Sequence, residues 1–283
     1  MTGDPTDGAA DGTVADGAPI IHPTAIIEDG AEIGAGARIG PYCTIGPHVR
    51  LGEAVELIGH VSLAGHTSIG AGTRIWPFAS IGHQPQDLKF AGEISRLEIG
   101  AKNMIREHVT MNPGTEGGGL VTRIGDGNLF MVGVHVGHDC RIGSNIVFAN
   151  NATLAGHVEI GDGAILGGLS AVHQHVRIGR LAILGGMAGL ERDLIPFGSA
   201  IGNRAELGGL NIIGLRRHGF DREAIHGLRD AYRAIFRGEG SLVERAEKAA
   251  RQWEGVAPVE EMTRFILGES ARSFATPRAG GSQ

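Results

Sequence analysis

Aliphatic side chains recur at every sixth residue through most of the chain. Steps of six from Ile27 to Ile81, from Ile99 to Met111 and from Ile124 to Leu190 meet only Ile, Leu, Val, Met or Phe. An amphipathic helix would show a period of 3.6 residues, and a half-buried strand a period of two. The period of six predicts that each hexad is a short strand and a turn with one aliphatic side chain pointing inward. Stacked hexads of this kind form a parallel β-helix.

Glycine is concentrated in the same repeats. The chain of 283 residues contains 48 Gly, and Gly directly follows 14 of the 25 repeat positions, as in Ile33-Gly34. At that place Gly would supply a backbone conformation that a Cβ obstructs. With three hexads per coil, the chain predicts a triangular prism. Outward apolar residues such as Val134 and Val147 would let such prisms pack side by side.

Two polar stretches, residues 83–98 and 112–123, interrupt the repeat. They are too long for turns, so we expect loops that project from the prism, where functional residues tend to lie. The β-helix is predicted to span residues 20–196. A C-terminal connector and α-helical domain would follow over 197–270, with helices beginning near Asp221, Ser241 and Pro258. The acidic leader, residues 1–19, and the tail, residues 271–283, are expected to be loose.

Composition and charge narrow the class of protein. The formal net charge of -6 argues against nucleic acid as the main partner. The chain has no run of 18 apolar residues, so stable membrane insertion is not expected. The leader lacks the basic start and apolar stretch of a secretory signal. Cys43 and Cys140 lie far apart, and we interpret them as reduced thiols of a cytoplasmic protein.

The coil length brings several candidate chemical groups to one edge of the prism. Eighteen residues separate His138 from Gly156 and Asp139 from His157, so each pair would meet across adjacent coils. His135 lies three residues before His138, and His173 would approach the same edge one coil further on. A His beside a carboxylate can act as a general base. A backbone N–H of Gly can stabilise an oxyanion without a side chain in the way.

Other features carry weaker signals. His135, His138 and His157 could instead supply three nitrogens to an open zinc site, as in a hexapeptide-fold carbonic anhydrase. Asp87 and Lys89 form a charged pair on the first loop, which could bind a sugar hydroxyl and a phosphate. The run from Asn211 to Phe220 contains three consecutive basic residues. Arginines continue beyond it to residue 237, and this local basic face suits an acidic macromolecule or a nucleotide diphosphate.

Several strings resemble the acyl-[acyl-carrier-protein]–UDP-N-acetylglucosamine O-acyltransferase family of lipid A biosynthesis. They are I-H-P-T-A from Ile21, Q-D-L-K from Gln86, H-V-G-H-D-C from His135, A-N-N-A-T-L-A-G-H-V from Ala149, A-V-H-Q from Ala171, G-N-R-A from Gly202 and the run ending at Phe220. The resemblance covers roughly residues 20–268. It implies the left hand of the β-helix, which spacing alone does not give. It also implies a cytoplasmic homotrimer with active sites between neighbouring subunits.

The resemblance implies a reaction and a set of roles. A (3R)-hydroxyacyl group would move from acyl-carrier protein to the 3-hydroxyl of UDP-N-acetylglucosamine, with no cofactor apart from the donor's own phosphopantetheine. His138 matches the general base, Asp139 the carboxylate that orients it, and Gly156 the oxyanion donor. The positions that match substrate-binding residues are Asp87, Lys89, His135, His157, His173, Gln174, Gly186, Asn211 and Arg217. Gly186 matches the position that limits acyl chain length.

Three positions depart from the family pattern, which has His, Glu and Arg where this chain has Asn112, Ile213 and His218. The resemblance leaves alternatives open. The sister N-acyltransferase acts on a UDP-amino sugar but carries an additional N-terminal globular domain. A non-catalytic structural solenoid would present a flat, repetitive Thr or Ser face, whereas the outward positions here are varied.

Overall fold

The computed structural model describes residues 17–278. The predicted leader lies outside these residues except for its last three, and so does the end of the predicted tail from residue 279. The structure is a left-handed parallel β-helix followed by four C-terminal helices, which confirms the predicted fold class. No helix within the described range is long and apolar enough to cross a membrane.

Most strands contain only two residues, as expected for hexads. The strands are β1 (Ile20–Ile21), β2 (Ile26–Ile27), β3 (Glu32–Ile33), β4 (Arg38–Ile39), β5 (Thr44–Ile45), β6 (Arg50–Leu51), β7 (Glu56–Leu57), β8 (Ser62–Leu63), β9 (His66–Ile69), β10 (Arg74–Ile75), β11 (Ser80–Ile81), β12 (Arg96–Ile99), β13 (Met104–Ile105), β14 (Thr110–Met111), β15 (Val121–Ile124), β16 (Leu129–Phe130), β17 (His135–Val136), β18 (Arg141–Ile142), β19 (Val147–Phe148), β20 (Thr153–Leu154), β21 (Glu159–Ile160), β22 (Ile165–Leu166), β23 (Ala171–Val172), β24 (Arg177–Ile178), β25 (Ile183–Leu184), β26 (Gly189–Leu190), β27 (Gly198–Ile201) and β28 (Glu206–Leu210).

The strands form the three faces of the prism. Sheet A contains β1 and every third strand to β25, followed by β27 and β28; sheet B runs from β2 to β26 and sheet C from β3 to β24. Each strand pairs in parallel with its equivalent in the next coil, as His135 does with Thr153. The chain therefore passes repeatedly from A to B to C. We call the corner between sheets B and C the B–C edge and the corner between sheets A and B the A–B edge.

The core is thicker than the sequence pattern suggested. Besides the aliphatic residue of each hexad, the residue two positions before it is also buried; Val134, Cys140 and Ala152 are 0% exposed. Alternate residues of a strand point to the same side, so both fill the prism. The expectation of one inward side chain per hexad, and of an outward Val134, is therefore wrong. Val147 is half-buried on the outer face of sheet A.

Glycine after the inward residue has a different cause from the one we expected. Gly34 does not have a positive φ; instead, a Cβ on it would lie 2.5 Å from the carbonyl carbon of Gly52 in the next coil. Close packing of coils therefore selects Gly there. The left-handed backbone occurs two residues later, at the third residue after the inward side chain, often without Gly.

The two extruded loops are shorter than predicted, because β12 begins at Arg96 and β15 at Val121. The first loop comprises residues 83–95 and the second loop residues 112–120. The β-helix also continues past Pro196, since β27 pairs with β25 and then with the antiparallel strand β28.

The C-terminal domain packs against sheet C. The helices are α1 (Ile212–Arg217), α2 (Arg222–Arg237), α3 (Leu242–Gln252) and α4 (Ala257–Leu267). The sequence pattern predicted α2, α3 and α4 closely but not α1; Asp221 caps α2 and Ser241 caps α3. Arg180 pairs with Glu261 of α4 at 2.8 Å, which joins the helices to the prism.

The beginning of the predicted tail is packed rather than loose. The N–H of Asp193 donates to the carbonyl of Ser273 over 2.8 Å, and the N–H of Ala275 donates to the backbone carbonyl of Asp193 over 2.8 Å. Ala275 is only 1% exposed. Asp193 also accepts from Ser270 Oγ, so a buried carboxylate holds this segment against the last coils.

Candidate active site

The B–C edge carries the cluster that the coil arithmetic predicted. Asp139, His157 and His175 follow one another at the same turn position of successive coils, with φ of 60°, 61° and 62°. The left-handed backbone is uncommon for residues other than Gly. At this edge it places the three side chains in one column. The N–H of His157 donates to the carbonyl of His138 over 2.9 Å, so adjacent coils are in the predicted register.

His138 and Asp139 form a buried pair. Their Nδ1 and Oδ2 atoms are 2.7 Å apart, and the side chains are 8% and 0% exposed. An ionised carboxylate only accepts hydrogen bonds, so Nδ1 carries the proton and Nε2 of a neutral His138 has a free lone pair. This is the tautomer that a general base needs.

Gly156 lies one coil below His138, against its ring. A Cβ on Gly156 would stand 2.5 Å from Nε2 of His138. Within residues 17–278 the Gly156 N–H donates no backbone hydrogen bond. It is therefore available to a developing oxyanion close to the base.

Two further His flank this pair. The ring of His157 meets that of His138 edge to face, with centroids 5.0 Å apart, and stacks on His175 at 4.4 Å. Burial lowers the pKa of His157, although the charge of Asp139 opposes this effect, as does the more weakly acting charge of Asp87. Burial also lowers the pKa of His135, and the charge of His138 lowers it further. Both rings are therefore neutral at pH 7, as suits hydrogen bonding to a substrate.

His135 contacts Thr110 through Nδ1, which lies 2.7 Å from the threonine hydroxyl. Within residues 17–278, the side chains of His138, Asp139 and His157 offer ligand atoms within 4.8 Å of one another. This is a different set from the three His that we considered for zinc, because His135 is not part of it. The 2.7 Å hydrogen bond already occupies Nδ1 of His138.

The next coil brings His173 and Gln174 to the same edge, as predicted. The N–H of His175 donates to the carbonyl of Gly156 over 3.2 Å, which fixes this register. Arg272, from the C-terminal segment, lies 2.8 Å from Nδ1 of His173 and donates to the Gln174 carbonyl over 2.9 Å. The repeat pattern does not predict this contact, because it joins residues that are 99 positions apart.

Asp87 and Lys89 lie on the first loop. The Asp87 carboxylate accepts from the backbone N–H of Lys89 over 3.0 Å, which shapes the loop tip. The Lys89 side chain is exposed. Asn112 ties this loop down, since its Nδ2 donates to the carbonyls of His83 and Gln84 over 3.1 and 3.3 Å.

Three predicted site residues do not lie at the B–C edge. Gly186 lies in the turn between β25 and β26, on the A–B edge. Asn211 is buried and its amide is engaged: Oδ1 accepts from Gly214 over 2.8 Å, and Nδ2 donates to Leu181 over 2.9 Å. It therefore serves as the cap of α1. Arg217 is exposed in the last turn of α1.

A cavity of about 760 Å³ opens beside Asp139 and His157. Gly117 and Gly118 of the second loop line one side, and residues 269–271 line another. The cluster therefore has space for a small molecule next to it.

Comparisons with known proteins agree with this architecture. A family model described as UDP N-acetylglucosamine O-acyltransferase, domain 2, matches residues 193–275. A model of bacterial transferase hexapeptide repeats matches residues 18–53 and 122–156.

Similar proteins span nearly the whole chain. The chain is 66% identical to the acyl-[acyl-carrier-protein]–UDP-N-acetylglucosamine O-acyltransferase of Methylobacterium radiotolerans over 92% of this chain and 96% of that protein. It is 52% identical to the protein of the same name from Caulobacter vibrioides over 91% and 98%. A crystal structure of a UDP-N-acetylglucosamine acyltransferase superposes with a TM-score of 0.89 at 46% identity, covering 92% and 99% of the two chains. The corresponding enzyme from Campylobacter jejuni gives a TM-score of 0.86 at 39% identity, covering 91% and 100%.

Proposed function

The chain belongs to the family of acyl-[acyl-carrier-protein]–UDP-N-acetylglucosamine O-acyltransferases, and on this premise we propose the reaction and its residues. The chain moves a (3R)-hydroxyacyl group from acyl-carrier protein to the 3-hydroxyl of UDP-N-acetylglucosamine, the first step of lipid A biosynthesis. The buried His138–Asp139 pair beside Gly156 is the observation that carries this proposal.

His138 acts as the general base. Nε2 takes the proton of the sugar 3-hydroxyl as its oxygen attacks the thioester carbonyl. Asp139 holds the Nδ1 proton and stabilises the imidazolium that forms. The thioester carbonyl oxygen becomes an oxyanion in the tetrahedral intermediate, and the Gly156 N–H stabilises it by donating a hydrogen bond. Collapse breaks the carbon–sulfur bond, and the imidazolium returns its proton to the departing phosphopantetheine thiolate.

The remaining groups of the B–C edge bind the substrates. His135 and His157, both neutral, hold the sugar beside the base. Asp87 and Lys89 contact the sugar hydroxyl and phosphate from the first loop, and His173 and Gln174 contact the bound groups one coil further on. The reaction requires no cofactor apart from the phosphopantetheine of the donor.

A homotrimer completes the site. Gly186 and Arg217 are exposed away from the B–C edge of their own chain, so a neighbouring prism would bring them to His138. Asn211 acts indirectly, by capping the helix α1 that carries Arg217. The outer face of sheet A supports this arrangement, because it carries a continuous apolar row that is partly exposed. The row consists of Met104, Leu129, Val147, Ile165 and Ile183, which are paired coil to coil. Such a stripe suits side-by-side packing about a threefold axis.

The C-terminal domain receives the acidic acyl-carrier protein. A groove of about 650 Å³ between β28 and α2 is lined by Arg229, Arg233, Arg237 and Arg278, and Arg216, Arg217 and Arg222 extend the basic surface. Exposed charges more than ~8 Å apart are largely screened at physiological ionic strength, so docking weakens as salt rises.

The location of the protein in the cytoplasm stays a prediction.

A transfer assay with labelled hydroxyacyl-carrier protein tests the proposal. We expect an ester on UDP-N-acetylglucosamine, identified by mass spectrometry and by its lability to alkali. Transfer only to a UDP-amino sugar would favour the N-acyltransferase. Zinc-dependent bicarbonate dehydration would favour the carbonic anhydrase, and the absence of any turnover would favour the structural solenoid. Sedimentation should give a trimer; a monomer at micromolar concentration would contradict the shared site.

A further inference from the structure

The carboxylate of Asp139 is held mainly by the second loop. Oδ1 accepts from the backbone N–H of Thr115 over 2.9 Å, and Oδ2 accepts from the Thr115 hydroxyl over 2.7 Å. The same Oδ2 accepts from His138 over 2.7 Å. Thr115 is 4% exposed and the Asp139 side chain 0%, so water has no access to replace a lost donor.

The second loop is shaped to lie against this carboxylate. A Cβ on Gly118 would stand 2.5 Å from the Asp139 Cβ, and one on Gly114 would stand 2.7 Å from Oδ1. Only Gly permits so close an approach at these two places. The loop is also fixed from outside, since the N–H of Glu116 donates to Glu93 of the first loop over 3.0 Å.

We propose that Thr115 is a positioning residue for the reaction, acting through Asp139 on His138; this inference rests on the proposed function. Two Thr115 donors lock the carboxylate in one rotamer, and that rotamer aims Oδ2 at Nδ1 of His138. Without the hydroxyl, the carboxylate keeps one loop contact and can turn about its terminal torsion. His138 then keeps Asp139 as its acceptor, but the position of that acceptor is no longer fixed, so the imidazole is held less often in the orientation that transfer needs.

The hydroxyl also tunes the charge that faces the base. By donating to Oδ2, it takes up part of the negative charge that would otherwise stabilise the imidazolium. Its loss therefore moves the acid limb of the pH profile of kcat to higher pH. A merely structural role would lower the plateau without moving this limb.

Three substitutions test the proposal in the full chain with acyl-carrier protein donor. Thr115→Val removes the hydroxyl at nearly constant shape and keeps the backbone N–H. Thr115→Ser keeps both donors. Thr263→Val is the matched control, since Thr263 is 2% exposed and its hydroxyl donates to Val259 within α4 over 2.9 Å. If Thr115→Val does not fold, Thr115→Ala removes the same hydroxyl without the branched side chain.

We expect kcat of the Val or Ala variant to fall roughly 10–100-fold, which is the usual effect of removing a residue that orients a metal-binding side chain by a hydrogen bond. KM for the sugar nucleotide should stay close to wild type, and the acid limb should move to higher pH. The Ser and Thr263→Val variants should match wild type. Folded Val and Ala variants with wild-type kcat, variants whose lower kcat leaves the acid limb unmoved, or a Ser variant as impaired as Val would overturn this inference alone. A wild-type chain without acyl transfer would overturn the proposed function and this inference with it.

Discussion

Gly156 lies so close to His138 that a Cβ on the glycine would stand 2.5 Å from Nε2 of the imidazole. The ring therefore occupies the volume that any other residue at position 156 would fill. This contact joins the base to the oxyanion donor across adjacent coils, which explains why glycine is needed at a turn position where φ is not positive.

Gly156→Ala should lower kcat by roughly 10²-fold, the usual cost of misplacing a reacting group by about 1 Å. The methyl group pushes the His138 ring away from the substrate but leaves the inward core intact. The melting temperature should stay near that of the wild type. Gly46→Ala is the control, because a Cβ there meets its nearest atom, the Leu63 carbonyl oxygen, at 3.4 Å. An active Gly156→Ala variant would contradict the proposed contact between base and oxyanion donor.

His157→Ala should act mainly on substrate affinity. The ring lies edge to face with His138, and its Nε2 is 3.9 Å from the Asp139 carboxylate, so the His138–Asp139 pair remains when it is removed. The loss of one hydrogen bond to a substrate costs about 1 kcal/mol, so KM for UDP-N-acetylglucosamine should rise roughly tenfold at most. Steady-state kinetics separate the two parameters. A kcat as low as that of a His138 variant would instead place His157 in the proton transfer.

Regular spacing made the prism and its B–C edge predictable from the sequence. In a solenoid, residues one coil apart are neighbours, so His138 with Gly156 and Asp139 with His157 could be placed by counting alone. Burial of the second inward row was missed because its side chains are mixed, from Val134 and Ile146 to Ala152 and Asn128, so the row gives no uniform hydrophobic signal.

Contacts from outside the repeat could not be predicted in this way. Thr115 reaches Asp139 from a loop without periodicity, and Arg272 reaches His173 from beyond the last helix. The small, polar sequence around Ala275 predicts a loose segment, whereas the segment is packed. Its order comes from Asp193, far away along the chain, whose backbone pairs with Ser273 and Ala275 and whose buried carboxylate accepts from Ser270.

Acid should destabilise the protein through His135, which is half-buried. Burial lowers the pKa of His135, whereas in the unfolded chain this group binds a proton below about pH 6.5. The unfolded state therefore holds more protons as pH falls through that value, and the free energy of unfolding decreases. His135 lowers the free energy of unfolding only below about pH 6.5, and it adds no further stability as pH rises above that value.

His135→Gln should make this decrease shallower between pH 7.5 and 5.5. Urea unfolding at a fixed protomer concentration measures the free energy at each pH, because assembly makes stability depend on concentration. His226→Gln, at an exposed position of α2, is the control and should follow wild type. A slope for His135→Gln equal to that of the wild type would show that His135 does not set the acid sensitivity.

Gly186→Met should shift the donor preference to shorter acyl chains. Gly186 is exposed on the A–B edge, and a Cβ there would meet the Gly168 carbonyl at 3.4 Å, so the fold accommodates a side chain. In the proposed trimer that side chain would take up space that the end of a long acyl tail needs. Rates across a series of chain lengths measure the optimum. An unchanged optimum would mean that Gly186 only serves the turn.

His138→Ala tests the central claim most directly. Acyl transfer from hydroxyacyl-carrier protein to UDP-N-acetylglucosamine is measured for the variant and the wild type, with circular dichroism and sedimentation to verify fold and assembly. Removing a general base costs 10²–10⁴-fold, and we predict a loss in that range with the β-helix intact, since His138 is not part of the inward aliphatic core. A folded His138→Ala variant that transfers the acyl group at nearly the wild-type rate would contradict the account.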